Sequence, residues 1–168
     1  YTDTASMMAF GFNPDLCEWS PYHGAAYSFV EACSKIVAAG GDWKTMRFSC
    51  QEYFERMTSD PKTWGKPTAA LLGALKMQKE FGLASIGGKD SMSGSFETDK
   101  GPIHVPPTLI AFGITPGKAD KVISPEMKWE GERLYLVRHT PLENRMPDTE
   151  QLKLNWDNIH TKIMDGTI

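Results

Sequence analysis

The chain has 168 residues, enough for one hydrophobic core and part of a second unit. Its 18 basic and 21 acidic side chains nearly cancel, which excludes a strong field aimed at nucleic acid or an anionic membrane. Hydrophobic residues at 40% and charged residues at 23% are ordinary for a soluble globular protein, and no apolar run approaches the ~20 residues that span a bilayer.

Met7 to Phe12 reads as a short strand, stopped by the turn signal Asn13-Pro14. A helix is expected from about Tyr22 to Ala39, with Pro21 in its first turn. Ala26, Phe29, Cys33, Ile36 and Val37 recur at helical spacing, and Gly40-Gly41 supplies the stop. Met46, Phe48 and Cys50 alternate with Arg47 and Ser49, the period-2 pattern of a half-buried strand. Gln51 to Met57 is ambiguous, with one or two helical turns as the reading offered, and ends at Asp60-Pro61. Pro67 then introduces a helix over Thr68 to Phe81, with Gly82 as its cap. A Gly- and Ser-rich loop follows from Gly87 to Ser95, and Thr108 to Ile114 is the next strand. This order indicates an α+β or α/β layer with helices packed on a sheet.

Pro, Gly and charged residues between Thr115 and Gly131 mark a boundary. The expected division is 1–120 as one domain, 121–131 as linker, and 132–168 as the start of a second α/β domain. In that last part Arg133 to Val137 reads as a strand. Leu152, Trp156, Ile159 and Ile163 make the apolar stripe of a helix, with Trp156 in a core and an Asp148/Gln151 capping box. The opening at Tyr1, without Met, and the abrupt end lead us to expect a piece of a larger protein.

The chemistry-bearing segment is Gly87-Gly88-Lys89-Asp90-Ser91-Met92-Ser93-Gly94-Ser95. Paired glycines let a backbone turn tightly and bring amide donors to an oxyanion. Lys89 can pair with phosphate, Asp90 is a hard oxygen ligand for magnesium, and Ser91 or Ser93 can add a phosphate hydrogen bond. The spacing is not that of a Walker motif, and a solvated polar loop is the competing reading. Cys17, Cys33 and Cys50 lack the spacing of a zinc site or disulfide framework, so reduced thiols of a cytoplasmic protein are expected. Nor does Cys17 have the flanking glycines of a nucleophile elbow. His23 beside a helix start suits capping or packing better than phosphate binding, and Lys66 suits an exposed turn. His104, His139 and His160 have no metal-ligand spacing.

The Gly-Lys-Asp-Ser-Met run resembles that of the phosphoribosylformylglycinamidine synthases, and the similarity continues on both sides. Ser20-Pro21-Tyr22-His23-Gly24-Ala25, Val37-Ala38-Ala39-Gly40-Gly41-Asp42, Gln51-Glu52-Tyr53-Phe54-Glu55-Arg56, Trp64-Gly65-Lys66-Pro67 and Val105-Pro106-Pro107-Thr108-Leu109 all look like that family, in the same order. The resemblance implies an aminoimidazole ribonucleotide synthetase N-terminal-like domain with a mixed sheet. It places the chain in the second of two such halves of an ATP-dependent ligase of purine biosynthesis. Implied partners are a pseudo-symmetric synthetase half, a glutaminase domain and a second copy of the fragment, without nucleic acid or membrane. Implied cofactors are ATP/ADP and Mg2+. Asp90 with Ser91 or Ser93 would hold metal and phosphate, Gly88 and Lys89 would line the nucleotide, and Glu31 on the first long helix would be a second metal ligand. Lys35 stands where the family often has an Asn metal ligand. An ammonium cannot ligate magnesium but can contact phosphate. A further metal ligand of the family would precede Tyr1. Two other readings stay open: a structural half that holds nucleotide without turnover or only completes the fold, and another ATP-using relative of aminoimidazole ribonucleotide synthetase.

Overall fold

The computed structural model describes residues 2–168. Its main sheet has four strands: β1 (Thr4–Gly11), β2 (Arg47–Tyr53), β3 (Ser85–Ser91) and β6 (Thr108–Lys118), in the order β1-β6-β2-β3. A separate hairpin joins β4 (Ser95–Thr98) to β5 (Gly101–His104). The four helices are α1 (Pro14–Trp19), α2 (Pro21–Ala38), α3 (Pro61–Phe81) and α4 (Thr149–Met164). β6 runs antiparallel to both neighbours, while β2 and β3 are parallel and joined through α3. The result is a mixed sheet with helices on one face, the α+β class expected from the element order.

α2 is the centre of the core. Ala25, Ala26, Phe29, Ala32, Cys33, Ile36 and Val37 are all buried, and Phe29 meets Phe48 of β2 with ring centroids 4.5 Å apart. Its small residues permit close approach: a Cβ on Gly73 of α3 would lie 2.1 Å from the Tyr22 carbonyl oxygen, so only glycine lets the two helices cross there. Ser28 is buried and donates through Oγ to the Gly24 and Leu109 carbonyls, which satisfies its hydroxyl and ties α2 to β6.

Several boundaries differ from the sequence expectation. Asn13-Pro14 stops β1 but also starts α1, because Asn13 Oδ1 accepts the Leu16 amide at 2.9 Å and Pro14 needs no amide partner at the first helical position. α3 begins at Pro61 rather than after Pro67. Asp60 caps it through the Lys62 amide, and Thr63 Oγ1 and Trp64 Nε1 brace the first turns on Asp60 and Thr58 carbonyls. Pro67 therefore lies inside the helix, and Lys66 is a helical residue paired with Glu55, not part of an exposed turn. Of Gln51–Met57, the first three residues extend β2 and none is helical. Arg133–Val137 forms no strand and pairs with none of the described strands, and Leu134 is 85% exposed.

α4 keeps its expected stripe, with Leu152, Trp156 and Ile163 buried and Ile159 partly so. Asp148 Oδ1 accepts the Gln151 amide at 3.0 Å, as a cap should. The Gln151 side chain turns away to accept the Thr140 amide, and the Asp148 amide donates to His139 Nε2 instead. The helix packs on the same core as α2 and α3. Trp156 lies 5.6 Å from Trp43 and 5.1 Å from Phe81 between ring centroids, and its Nε1 donates to Ser34. Replacing this 3%-exposed indole by Ala should cost about 3–5 kcal/mol of unfolding free energy, read from urea titration followed by far-UV circular dichroism. A loss under 1 kcal/mol would mean that α4 contributes little to the core.

Candidate functional site

The Gly-rich segment is not a loop through most of its length. Ser85–Ser91 form β3, an edge strand paired in parallel with β2, and only Met92–Gly94 turn before the hairpin. Neither Gly87 nor Gly88 has a positive φ, so the pair makes no left-handed turn. Gly88 is required for another reason: a Cβ there would lie 2.5 Å from the Cys50 carbonyl oxygen across the ladder. Gly87 faces open space. The turn after β3 is fixed by backbone bonds, Phe54 N to Ser91 O at 2.8 Å and Gly94 N to Phe54 O at 3.0 Å.

Strand alternation sorts the side chains of β3 onto two faces. Lys89 and Ser91 fall on the open face with Gln51 and Tyr53; the Lys89 ammonium lies 5.5 Å from the Tyr53 ring centroid and donates to the Asp90 carbonyl. Gly88 and Asp90 fall on the helix face with Cys50 and Glu52. There α3 stands away from the sheet edge and leaves a cavity of about 510 Å³, bordered by Leu71, Ala74 and Leu75 on one side and by Cys50, Glu52, Gly88 and Asp90 on the other.

Glu52 is the residue that sequence reasoning missed. It is directly opposite Asp90 in the register and only 6% exposed. Burial first, and the Asp90 charge second, push its carboxyl from the ordinary 4.5 up to about 7. The signals in the sequence were its place in the Gln51–Arg56 motif and an inward position on a β2 longer than expected.

Glu31 and Lys35 lie elsewhere. Glu31 Oε2 accepts the Phe12 amide at 2.9 Å and Oε1 pairs with Lys35 Nζ at 2.7 Å. Lys35 also donates to the Phe10 carbonyl and sits 4.5 Å from the Phe10 ring centroid. Both are spent on fastening α2 to the end of β1. Three strand spacings, about 14 Å, separate β1 from β3, so the chain does not bring Glu31 to Asp90. Ser93 sits in the turn between β3 and β4. His23 is structural: Nε2 donates to the Asn144 carbonyl, leaving Nδ1 to accept from Ser20 Oγ at 2.8 Å. Among the described residues no group of three or more His, Cys, Asp or Glu side chains could hold a metal ion, and the three cysteines are free. No helix there is long and apolar enough to cross a membrane.

No protein-family model matches the chain, and no curated protein matches it in sequence. Solved structures match it in fold. Phosphoribosylformylglycinamidine synthase II from Thermotoga maritima aligns with a TM-score of 0.73 at 17% identity, over 99% of this chain and 25% of its own. This chain has the PurL-like fold. T. maritima PurL complexed with ATP gives a TM-score of 0.73 at 17% identity, over 99% of this chain and 26% of that one. T. maritima PurL complexed with FGAR gives 0.71 at 17% identity, over 99% and 25%. The chain thus spans about a quarter of the length of the structures it matches.

Protonated Glu52 has a consequence for stability. The folded chain holds that proton to higher pH than the unfolded chain, so the contribution is complete below about pH 4.5 and is lost as pH rises towards 7. At about 1.4 kcal/mol per unit the loss is about 3 kcal/mol. Unfolding free energy measured across pH 4–8 should fall in that window relative to Glu52→Gln, which lacks the titration. Parallel curves for the two proteins would refute the assignment.

Proposed function

We propose that this chain belongs to the second synthetase-like half of a PurL-type ligase. The parent protein converts formylglycinamide ribonucleotide, glutamine and ATP to the amidine, glutamate, ADP and phosphate. ATP would activate the formyl amide oxygen, and ammonia from a glutaminase domain would displace phosphate. The observation that carries this reading is the fold alignment over 99% of the chain to PurL, including PurL complexed with ATP, joined to the ordered motifs around Gly87–Ser95. In this reading the end of β3 and the turn after it receive the nucleotide phosphates. Lys89, Ser91 and Ser93 lie beside them, Gly88 keeps the strand flush against β2, and Asp90 faces the metal.

The residues fit magnesium at one place and not at another. Asp90 borders the cavity with no donor among the described residues spent on its carboxylate, whereas the Glu31 carboxylate is fully engaged and its neighbour is an ammonium. Bound magnesium would neutralise phosphate charge; the chain's own part is to present oxygens and keep the strand ends fixed.

A second reading is favoured by the Glu31–Lys35 pair: this half holds a nucleotide, or only completes the fold, without turning over. A metal ligand replaced by a self-satisfied ion pair suits a scaffold. We also propose that 132–168 lead beyond 121–131 into a further unit of the parent, with α4 as the helix docked on the first.

The remaining partner is a like sheet. On the face away from α2 and α3, Met8 and Phe10 are 70% and 52% exposed, with Phe112 packed beside Phe10 and Ile114 opposite Met8. An apolar sheet face of this kind asks for cover, and a second copy or the pseudo-symmetric half supplies it.

Binding of ATP and ADP to a chain extended to complete this half tests the nucleotide reading. Retention of nucleotide with magnesium, weakened about tenfold or more by Asp90→Ala, is expected, on the scale at which ligand charge count tunes cation sites. No binding at millimolar nucleotide would leave only the fold-completing role. For the sheet face, light scattering on residues 1–168 should show self-association that Phe10→Asp abolishes, and a strictly monomeric fragment at high concentration would overturn it.

A further inference from the structure

Glu52 is a buried acidic side chain that the fold itself does not explain. It is 6% exposed, borders the α3–β3 cavity, and has no hydrogen-bond or ion-pair partner among the described residues; only burial and Asp90 act on it. A buried carboxyl without a partner is costly, and a second carboxylate one strand spacing away, about 4.8 Å, adds to that cost. The register puts the two side chains on the same face of the sheet, at the same level.

Among the described residues no cation is paired with them. Lys89 borders the cavity, but its ammonium lies over Tyr53 and donates to the Asp90 carbonyl. Lys76 is paired with Glu80, Lys66 with Glu55, and Lys35 with Glu31. Cys50, the remaining titratable group on that wall, has its thiol pushed up by burial and brings no charge. From α3 the cavity receives only Leu71, Ala74, Leu75 and Gln78.

We propose that Glu52 and Asp90 together hold a hard divalent cation, magnesium or manganese, at the β2–β3 side of this cavity. Glu52 thereby takes the part that motif resemblance gave to Glu31. The chemical class follows from the donors: two carboxylates, no imidazole and no accessible thiolate select an oxygen-loving ion. Two carboxylates do not complete six-coordination, and the cavity leaves room for water or phosphate oxygens in the other positions. Gly88, without a side chain, keeps the floor of the cavity low beside the two acids, opposite Cys50. The site deepens the nucleotide reading and rests on it for the source of those phosphate oxygens. The pairing of the two acids does not depend on it.

Manganese chloride is the probe, added to the chain without nucleotide and followed by paramagnetic broadening of Leu71 and Leu75 methyl signals. Broadening at millimolar manganese is expected, lost in Glu52→Gln and in Asp90→Asn and kept in Glu31→Gln. Should Glu52→Gln not fold, Asp90→Asn carries the same test. Absence of broadening, its persistence in either carboxamide variant, or its loss in Glu31→Gln would overturn the site. Nucleotide binding separates the two readings. ADP binding whose magnesium dependence survives Glu52→Gln keeps the nucleotide reading and removes this site. Manganese binding through Glu52 without any ADP binding does the reverse.

Discussion

The architecture depends on how closely α2 can approach its surroundings. At the end of β1 a Cβ on Gly11 would lie 1.9 Å from the Ser28 carbonyl oxygen, and on the far side Gly73 brings α3 against Tyr22. Within α2 itself, Gly24 lets Cys17 of α1 come within van der Waals range. Close contact on three sides fixes a helix more firmly than apolar area alone, because each contact has one acceptable register. The positions of β1, β6 and α3 follow from it. β2 and β3 then take their places through Phe29 on Phe48 and through the ladder to β6.

That same arrangement leaves one margin unfilled. α3 is held against α2, so it cannot also lie flat on the edge of the sheet, and the space between α3 and β3 becomes the cavity. A strand exposed along its outer edge, glycines within it and two carboxylates under it would be poor features for a closed core. They are reasonable features for a surface completed by something else. The exposed Leu71 and Leu75 on α3 point the same way, since they wall the cavity without filling it.

Much of the fold was legible because the governing forces were local. The α2 stripe, the β1 and β6 runs and the α4 stripe each carry their period in consecutive residues, and the mixed layer follows from their order. The misread elements needed information from elsewhere in the chain. Pro67 looks like a helix start until Asp60 and Pro61 are seen to supply a better one six residues earlier. Arg133–Val137 has the composition of a strand, but a strand exists only with a neighbour. Gly87–Asp90 has the composition of a loop, but β2 is alongside to pair with it, and Gly88 is needed for contact across the ladder instead of for a turn. The sequence motifs therefore marked the right segment while misjudging its conformation.

The two acidic pairs show why the site was only half readable. Glu31 and Lys35 are four residues apart on a helix, in the favourable order, so they are conspicuous in sequence and satisfied by each other in the fold. Glu52 and Asp90 are far apart in sequence and adjacent only through a parallel ladder. A ladder pair of like charge has no cation beside it in sequence on its own face: its neighbours along each strand point to the other face, as Lys89 does. An i,i+4 ion pair closes a site by neutralising itself. A like-charged ladder pair keeps one open, relieved only by the proton that Glu52 retains or by a counter-charge from outside. The chemistry of this chain is accordingly sought at the pair that needs a cation, not at the pair that already has one.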